Sequence, residues 1–167
     1  MSDLIPQESI LTAAISRRSA WSTRSIVAFL DDCLFPVRIS SFNADGYPQI
    51  TSLWYVLRQG KLLCCSRPGS LVCLQIAQNP RVAFEVAANE PPYFGVSGQA
   101  DARIVDGDAG ALLATLIERY LQGQDPELRA WLMSRASTES IIEVEPRRIT
   151  SWDFRPRMSI PKNIRSA

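Results

Sequence analysis

The chain has 167 residues, 46% of them hydrophobic, with 18 basic side chains against 17 acidic ones and a net charge of +1. A single domain of that size buries roughly two thirds of its unfolded-chain surface, so a core can form without disulfides or a structural metal, and the balanced charge offers no global field to a nucleic acid or an anionic membrane. Histidine is absent, which excludes Ser-His-Asp and Cys-His catalysis, His-ligated zinc and haem held by a proximal His.

Proton transfer is left to Asp, Glu, Lys, Tyr, Cys, water or a cofactor. No stretch approaches the roughly 18 unbroken apolar residues that span a bilayer. Met1-Ser2-Asp3-Leu4 has neither the basic start nor the apolar run of a signal peptide, so a cytoplasmic location is expected. The cysteines Cys33, Cys64, Cys65 and Cys73 form no CxxC pair. They read as small buried hydrophobes in a reducing compartment, and no metal site is expected.

In chain order, residues 1–20 read as an extension in which Gln7 to Ile15 can form a short amphipathic helix after Pro6. A firmer helix is predicted from Thr23 to Asp31 with Ser22 or Thr23 as N-cap. From Phe35 the apolar period changes to two, predicting a strand through Phe42. Asp45-Gly46 supplies a hairpin turn. A long second strand, Gln49 to Leu57, turns at Arg58-Gln59-Gly60 into a third, Lys61 to Ser66. Cys64 and Cys65 should then point to opposite faces. Arg67-Pro68-Gly69-Ser70 opens a helix to Gln78, stopped by Asn79-Pro80.

Arg81 to Ala88 is a fourth strand. Tyr93 to Val105 is a bent fifth, with Gly95 and Gly98 permitting bulges. Asp108 to Gln122 carries one apolar stripe, Leu112, Leu113, Leu116, Ile117, Tyr120 and Leu121, and is the clearest helix. Asp125-Pro126 caps another. The last strand runs from Ser140 to Val144 and from Arg148 to Phe154, interrupted at Pro146. Six antiparallel strand segments with few intervening helices predict a mainly β protein, a small barrel with its helices outside. The basic residues of the tail (Arg147, Arg148, Arg155, Arg157, Lys162, Arg165) read as solvated surface or as a local anion patch. The acidic pairs Asp31-Asp32, Asp106-Asp108 and Glu143-Glu145 fall at turns, caps or alternate strand positions.

The run Asp45-Gly46-Tyr47-Pro48-Gln49-Ile50-Thr51-Ser52-Leu53-Trp54-Tyr55 combines a turn with a strand ending in an aromatic pair. With Ser66-Arg67-Pro68-Gly69-Ser70, Asn79-Pro80-Arg81-Val82 and Thr150-Ser151-Trp152-Asp153-Phe154 in that order, it resembles the pyridoxamine 5′-phosphate oxidase-like, FMN-binding split-barrel family. The resemblance implies a six-stranded antiparallel split β-barrel over residues 21–157 with a tail at 158–167. It also implies a homodimer holding one FMN in each of two clefts between the subunits.

By the same resemblance Gln49, Ile50, Thr51, Ser52, Leu53 and Trp54 lie along the isoalloxazine ring. Ser66 and Arg67 fall near the ribityl phosphate, Ser70 opens the helix beside it, Gln75 stands where the family carries Asn, and Trp152 belongs to the last-strand motif. Read from the residues alone, the Ser66–Ser70 loop is either an ordinary loop with an N-cap or an anion cradle at a helix start. Likewise Trp54, Tyr55, Tyr93 and Trp152 either wall a flat aromatic ligand or pack in a core or dimer interface.

The chain departs from the family pattern at Leu71 and Val72, where flavin-binding members usually place Arg-Lys or at least Lys. A charge-assisted phosphate contact contributes about 1.5–3 kcal/mol, so losing one or two weakens FMN binding roughly ten- to a thousand-fold unless Arg67, Arg38 or a partner's arginine compensates. Arg155-Pro156-Arg157 is a poor substitute for the arginine-rich substrate motif of the true oxidases. The expected function is an FMN-dependent oxidoreductase acting on a small molecule, with a deazaflavin as a variant. The alternative is a non-enzymatic ligand-binding or sensor protein without a flavin. No catalytic side chain is assigned.

Overall fold

Ser22 begins the first long helix, α1 (Thr23–Asp32), by accepting the Ser25 backbone N–H at its hydroxyl. The computed structural model describes residues 11–158. Residues 11–14 are helical. The start of the Gln7–Ile15 segment and the tail residues 159–167 lie outside the described residues. Ile26 and Leu30 of α1 are fully buried and belong to the barrel core.

β1 (Val37–Phe42) alternates as its sequence predicts, with Val37, Ile39 and Ser41 inward. Asn43 organises the turn that follows. Its side-chain oxygen accepts the Asp45 and Tyr47 N–H groups at 3.0 and 2.8 Å, and Gly46 takes the positive φ of 81° that the turn requires. β2 (Pro48–Leu53) then pairs antiparallel with β1, from Phe42 opposite Pro48 to Val37 opposite Leu53.

The expected single strand from Gln49 to Leu57 is two strands. β2 ends at Leu53, and β3 (Tyr55–Arg58) pairs with β4 (Lys61–Ser66) instead. The break at Trp54 decides the architecture. With β5 (Arg81–Ala87), β6 (Phe94–Val105) and β7 (Ser140–Asp153), the sheet order is β2-β1-β5-β6-β7-β4-β3, which puts β2 and β3 at opposite edges. Leu53 and Tyr55 are only two residues apart, a span of at most about 7 Å. The two edges therefore meet at Trp54, and the seven-stranded antiparallel sheet curls into a barrel.

Tyr120 pins that seam. Its ring stacks on Trp54 at 5.0 Å with 6° between the planes. Its hydroxyl accepts the Tyr55 N–H at 3.3 Å and donates to the Phe35 carbonyl at 3.2 Å. A backbone donor that leaves the ladder at the break is thus satisfied by a side chain.

The last strand is continuous through Pro146. Gln99 pairs with Arg148 and Ala100 with Pro146, so Arg147 is the extra residue of a bulge, where a proline without an N–H is tolerated. Gly95 and Gly98 serve close approach, and the bulge lies one residue further on. A Cβ on Gly98 would sit 2.2 Å from the Arg148 carbonyl oxygen and 2.6 Å from the Phe84 ring.

The barrel interior is filled by Ile39, Leu62, Val86, Val96, Ile142, Val144 and Ile149 among others. α2 (Leu71–Gln78) packs on this core through Val72, Cys73 and Ile76. α3 (Ala109–Leu121) packs outside, its Leu112 and Leu116 against Val56 of β3 and Ile141 of β7. α4 (Pro126–Met133), a 3-10 turn (Ala136–Thr138) and a final turn, α5 (Arg155–Met158), complete the described chain. The outward residues Ile50, Ser40, Ala83, Gln99 and Arg148 form one cross-strand row over β2-β1-β5-β6-β7, and Ile50 is 72% exposed.

Candidate functional site

The strand ends at the seam and the α2 entry form one cleft. β2 ends at Leu53, and β4 ends at Ser66, where the chain turns through Arg67 into α2. Ser70 caps α2 by accepting the Cys73 N–H at 3.4 Å, and its hydroxyl lies 2.8 Å from that of Ser66. The Leu71 and Val72 N–H groups belong to the first turn and have no acceptor within the helix. Ser66 is in register with Ser140 of β7, so the segment entering β7 runs beside the end of β4.

The resulting open cleft of about 370 Å³ is lined by Ser52, Leu53 and Trp54 from the seam, Cys65, Ser66, Arg67 and Ser70 from β4 and the α2 entry, Leu113 and Leu116 from α3, Leu132 from α4, and Arg135 and Glu139 before β7. Its lining combines hydroxyls, backbone groups and arginines with the apolar side chains Leu113, Leu116 and Leu132. A volume of this size suits a small organic ligand.

Six of the expected cofactor-site residues meet there: Ser52, Leu53, Trp54, Ser66, Arg67 and Ser70. The others lie elsewhere. Gln75 is buried in a polar chain in which its amide accepts the Ser41 hydroxyl at 2.6 Å and donates to the Gln49 side chain. Gln49 and Gln75 thus tie α2 to the β1–β2 hairpin. Ile50 faces outward, Thr51 is half-buried, and Trp152 sits opposite Gly95 at the far end of β7. Tyr55 is a core residue, fully buried with its hydroxyl donating to the Leu30 carbonyl at 2.7 Å. Arg38 hydrogen-bonds Asn89.

Leu71 and Val72 have different surroundings. Leu71 is 68% exposed, whereas Val72 is in the core. The basic residues lining the cleft are Arg67 and Arg135.

Cys64 and Cys65 point to opposite faces, Cys64 into the core and Cys65 into the cleft. Burial first, and the nearby Glu139 charge second, push the Cys65 thiol up to about 12, so it stays protonated and is a poor nucleophile. Glu143 is away from the cleft, paired with Lys61 at 3.0 Å and Arg103 at 2.6 Å. Asp108 caps α3.

Cys65, Leu113, Leu116, Leu132, Arg135 and Glu139 were not indicated by the sequence pattern. The α3 stripe reads as plain core packing. Only the β4–β7 register, which no local motif encodes, brings Arg135 and Glu139 to Ser66.

Residues 22–153 match the family model described as "Pyridoxamine 5'-phosphate oxidase". The chain belongs to this family. Solved structures share its fold. The conserved protein Rv2991 of Mycobacterium tuberculosis is 21% identical, with a TM-score of 0.71 over 87% of this chain and 96% of that one. An F420 reductase is 25% identical, with a TM-score of 0.57 over 72% of this chain and 93% of its own. The FAD binding protein from Mycobacterium smegmatis is 18% identical, with a TM-score of 0.55 over 81% and 98%. No curated protein matches the chain significantly. Among the described residues no helix is long and apolar enough to cross a membrane.

Proposed function

We propose that this member of the pyridoxamine 5′-phosphate oxidase family binds a flavin-type cofactor, FMN or a deazaflavin, in the seam cleft and acts as an oxidoreductase on a small molecule. The observation that carries this reading is the meeting of Ser52, Leu53, Trp54, Ser66, Arg67 and Ser70 around one cleft. Family membership and the F420 and FAD names of two structural relatives support the cofactor class.

The donor set fits a phosphorylated ring compound. Two hydroxyls 2.8 Å apart, the free N–H groups of the α2 start and the Arg67 guanidinium offer an anion-binding end. Ser52, Leu53 and Trp54 offer backbone groups and an aromatic face to a flat ring. When bound, the cofactor supplies hydride or electron exchange, which a histidine-free cleft does not provide itself. The residues bind and orient it, and the Leu113–Leu116–Leu132 side keeps water from the ring. The protonated Cys65 and Glu139 line the same cleft.

The reading includes a homodimer formed through the open row Ile50, Ser40, Ala83, Gln99 and Arg148, whose small central side chains admit a second surface. That packing covers Ile50, which is 72% exposed. Sedimentation at micromolar concentration should give twice the monomer mass. Titration with FMN should quench flavin fluorescence with a micromolar or tighter Kd, and NAD(P)H should bleach the bound flavin. No binding of FMN or of a deazaflavin up to about 1 mM, a free energy weaker than roughly −4 kcal/mol, would reject the proposal and favour a non-flavin ligand.

A further inference from the structure

We propose that Arg135 is a second anion-binding residue of the cleft, so that the ligand's phosphate is held between Arg67 at the α2 entry and Arg135 at the β7 entry. The inference rests on the cofactor reading for the identity of the ligand, not for the presence of the anion site.

Arg135 and Arg67 line the same cleft although 68 positions separate them in sequence, because Ser66 and Ser140 are register partners. The Arg135 guanidinium is held over the Trp131 ring at 4.8 Å, which restricts its swing. Among the described residues its one ion pair is with Glu139, at 3.6 Å. Well-formed guanidinium–carboxylate hydrogen bonds are 2.7–2.9 Å long, so this contact leaves the planar donors of Arg135 available. Among the described residues its side chain makes no closer polar contact.

Two arginines against one carboxylate leave the cleft with a net positive charge. A phosphate monoester, carrying about two negative charges, can pair with both guanidiniums. It also suits the Ser66 and Ser70 hydroxyls beside Arg67. The anchor that Leu71 and Val72 cannot provide is supplied from the α4–β7 connection. Glu139, whose side chain is 9% exposed, aligns Arg135 when no anion is bound.

The test compares wild type, Arg135→Ala and Arg135→Lys for binding of inorganic pyrophosphate by calorimetry, and of FMN and riboflavin by fluorescence, with circular dichroism confirming the fold. Arg135→Ala should weaken pyrophosphate and FMN by tenfold or more and leave riboflavin unchanged. Arg135→Lys should recover part of the loss, since the charge returns without the planar fork. If pyrophosphate binds through Arg135 but no flavin binds, the flavin reading fails and this inference stands. Failure of wild type to bind pyrophosphate at about 10 mM, near −3 kcal/mol, overturns the inference. So does an Arg135→Ala variant that binds pyrophosphate as wild type does.

Discussion

Replacing Gly98 by alanine tests the barrel at its tightest point. The added Cβ would lie 2.2 Å from the Arg148 carbonyl oxygen and 2.6 and 2.8 Å from two atoms of the Phe84 ring. Neither neighbour can withdraw cheaply. The carbonyl belongs to the β6–β7 ladder, where Gly98 is opposite Ile149, and Phe84 is 3% exposed in the core. Overpacking a filled core costs about 1–3 kcal/mol, and a clash with backbone on one side and a buried ring on the other belongs at the upper end, about 3 kcal/mol. For a domain of this size 1 kcal/mol moves Tm by roughly 2–4 °C, so a fall of roughly 6–12 °C is expected. Gly69→Ala is the control. Its Cβ meets nothing within 4 Å, so its effect should stay within about 0.5 kcal/mol. Urea unfolding of both variants measures the difference. A Gly98→Ala protein as stable as wild type would refute the close approach of β6 to its neighbours.

Three further outcomes follow from buried or paired groups. Tyr55→Phe removes the bond to the Leu30 carbonyl, but Arg119 also donates to that oxygen at 3.3 Å; urea melts should show a loss near 1 kcal/mol, and no loss would contradict the buried bond. Burial raises the Glu143 pKa, yet hydrogen bonds and charges from Lys61 and Arg103 outweigh it and hold the carboxyl below its ordinary value. Its stabilisation is therefore complete above the ordinary carboxylate range, near about pH 4.3, and is lost as pH falls through the lower folded value. Glu143→Gln should be less stable than wild type at neutral pH, with the gap closing in acid, and a gap independent of pH would contradict the pairing. With its thiol pushed up to about 12, Cys65 should react with iodoacetamide at pH 8 at least about tenfold more slowly than a free thiol of pKa about 8.5. Peptide mapping that finds Cys65 labelled as fast as free cysteine would contradict its burial.

Much of the fold is legible because local signals and tertiary structure agree. Ser22, Ser70, Asp108 and Asp125 cap helices as their positions suggest, and the alternation of β1 survives intact. The break at Trp54 is not legible. Gln49 to Leu57 is rich in β-formers throughout, and only the edge-to-edge closure against Tyr120 makes two strands of it. Pro146 misleads in the other direction, since a bulge absorbs it without ending β7. In the cleft, the strand-end and loop residues announce themselves as contiguous motifs. Gln49 and Gln75 satisfy each other across α2 and β2, a pairing that depends on the tilt of the helix. Arg135 and Glu139 depend on the β4–β7 register and carry no local signature.

In the proposed function the seam cleft holds a flavin-type cofactor by its phosphate at Arg67. The most direct test is the ratio of riboflavin to FMN affinity in wild type and in Arg67→Ala. A charge-assisted contact of about 1.5–3 kcal/mol predicts that wild type prefers FMN and that the variant loses roughly ten- to a hundred-fold of that preference, with riboflavin unaffected. Equal affinities for FMN and riboflavin in wild type, or a preference untouched by Arg67→Ala, would contradict it.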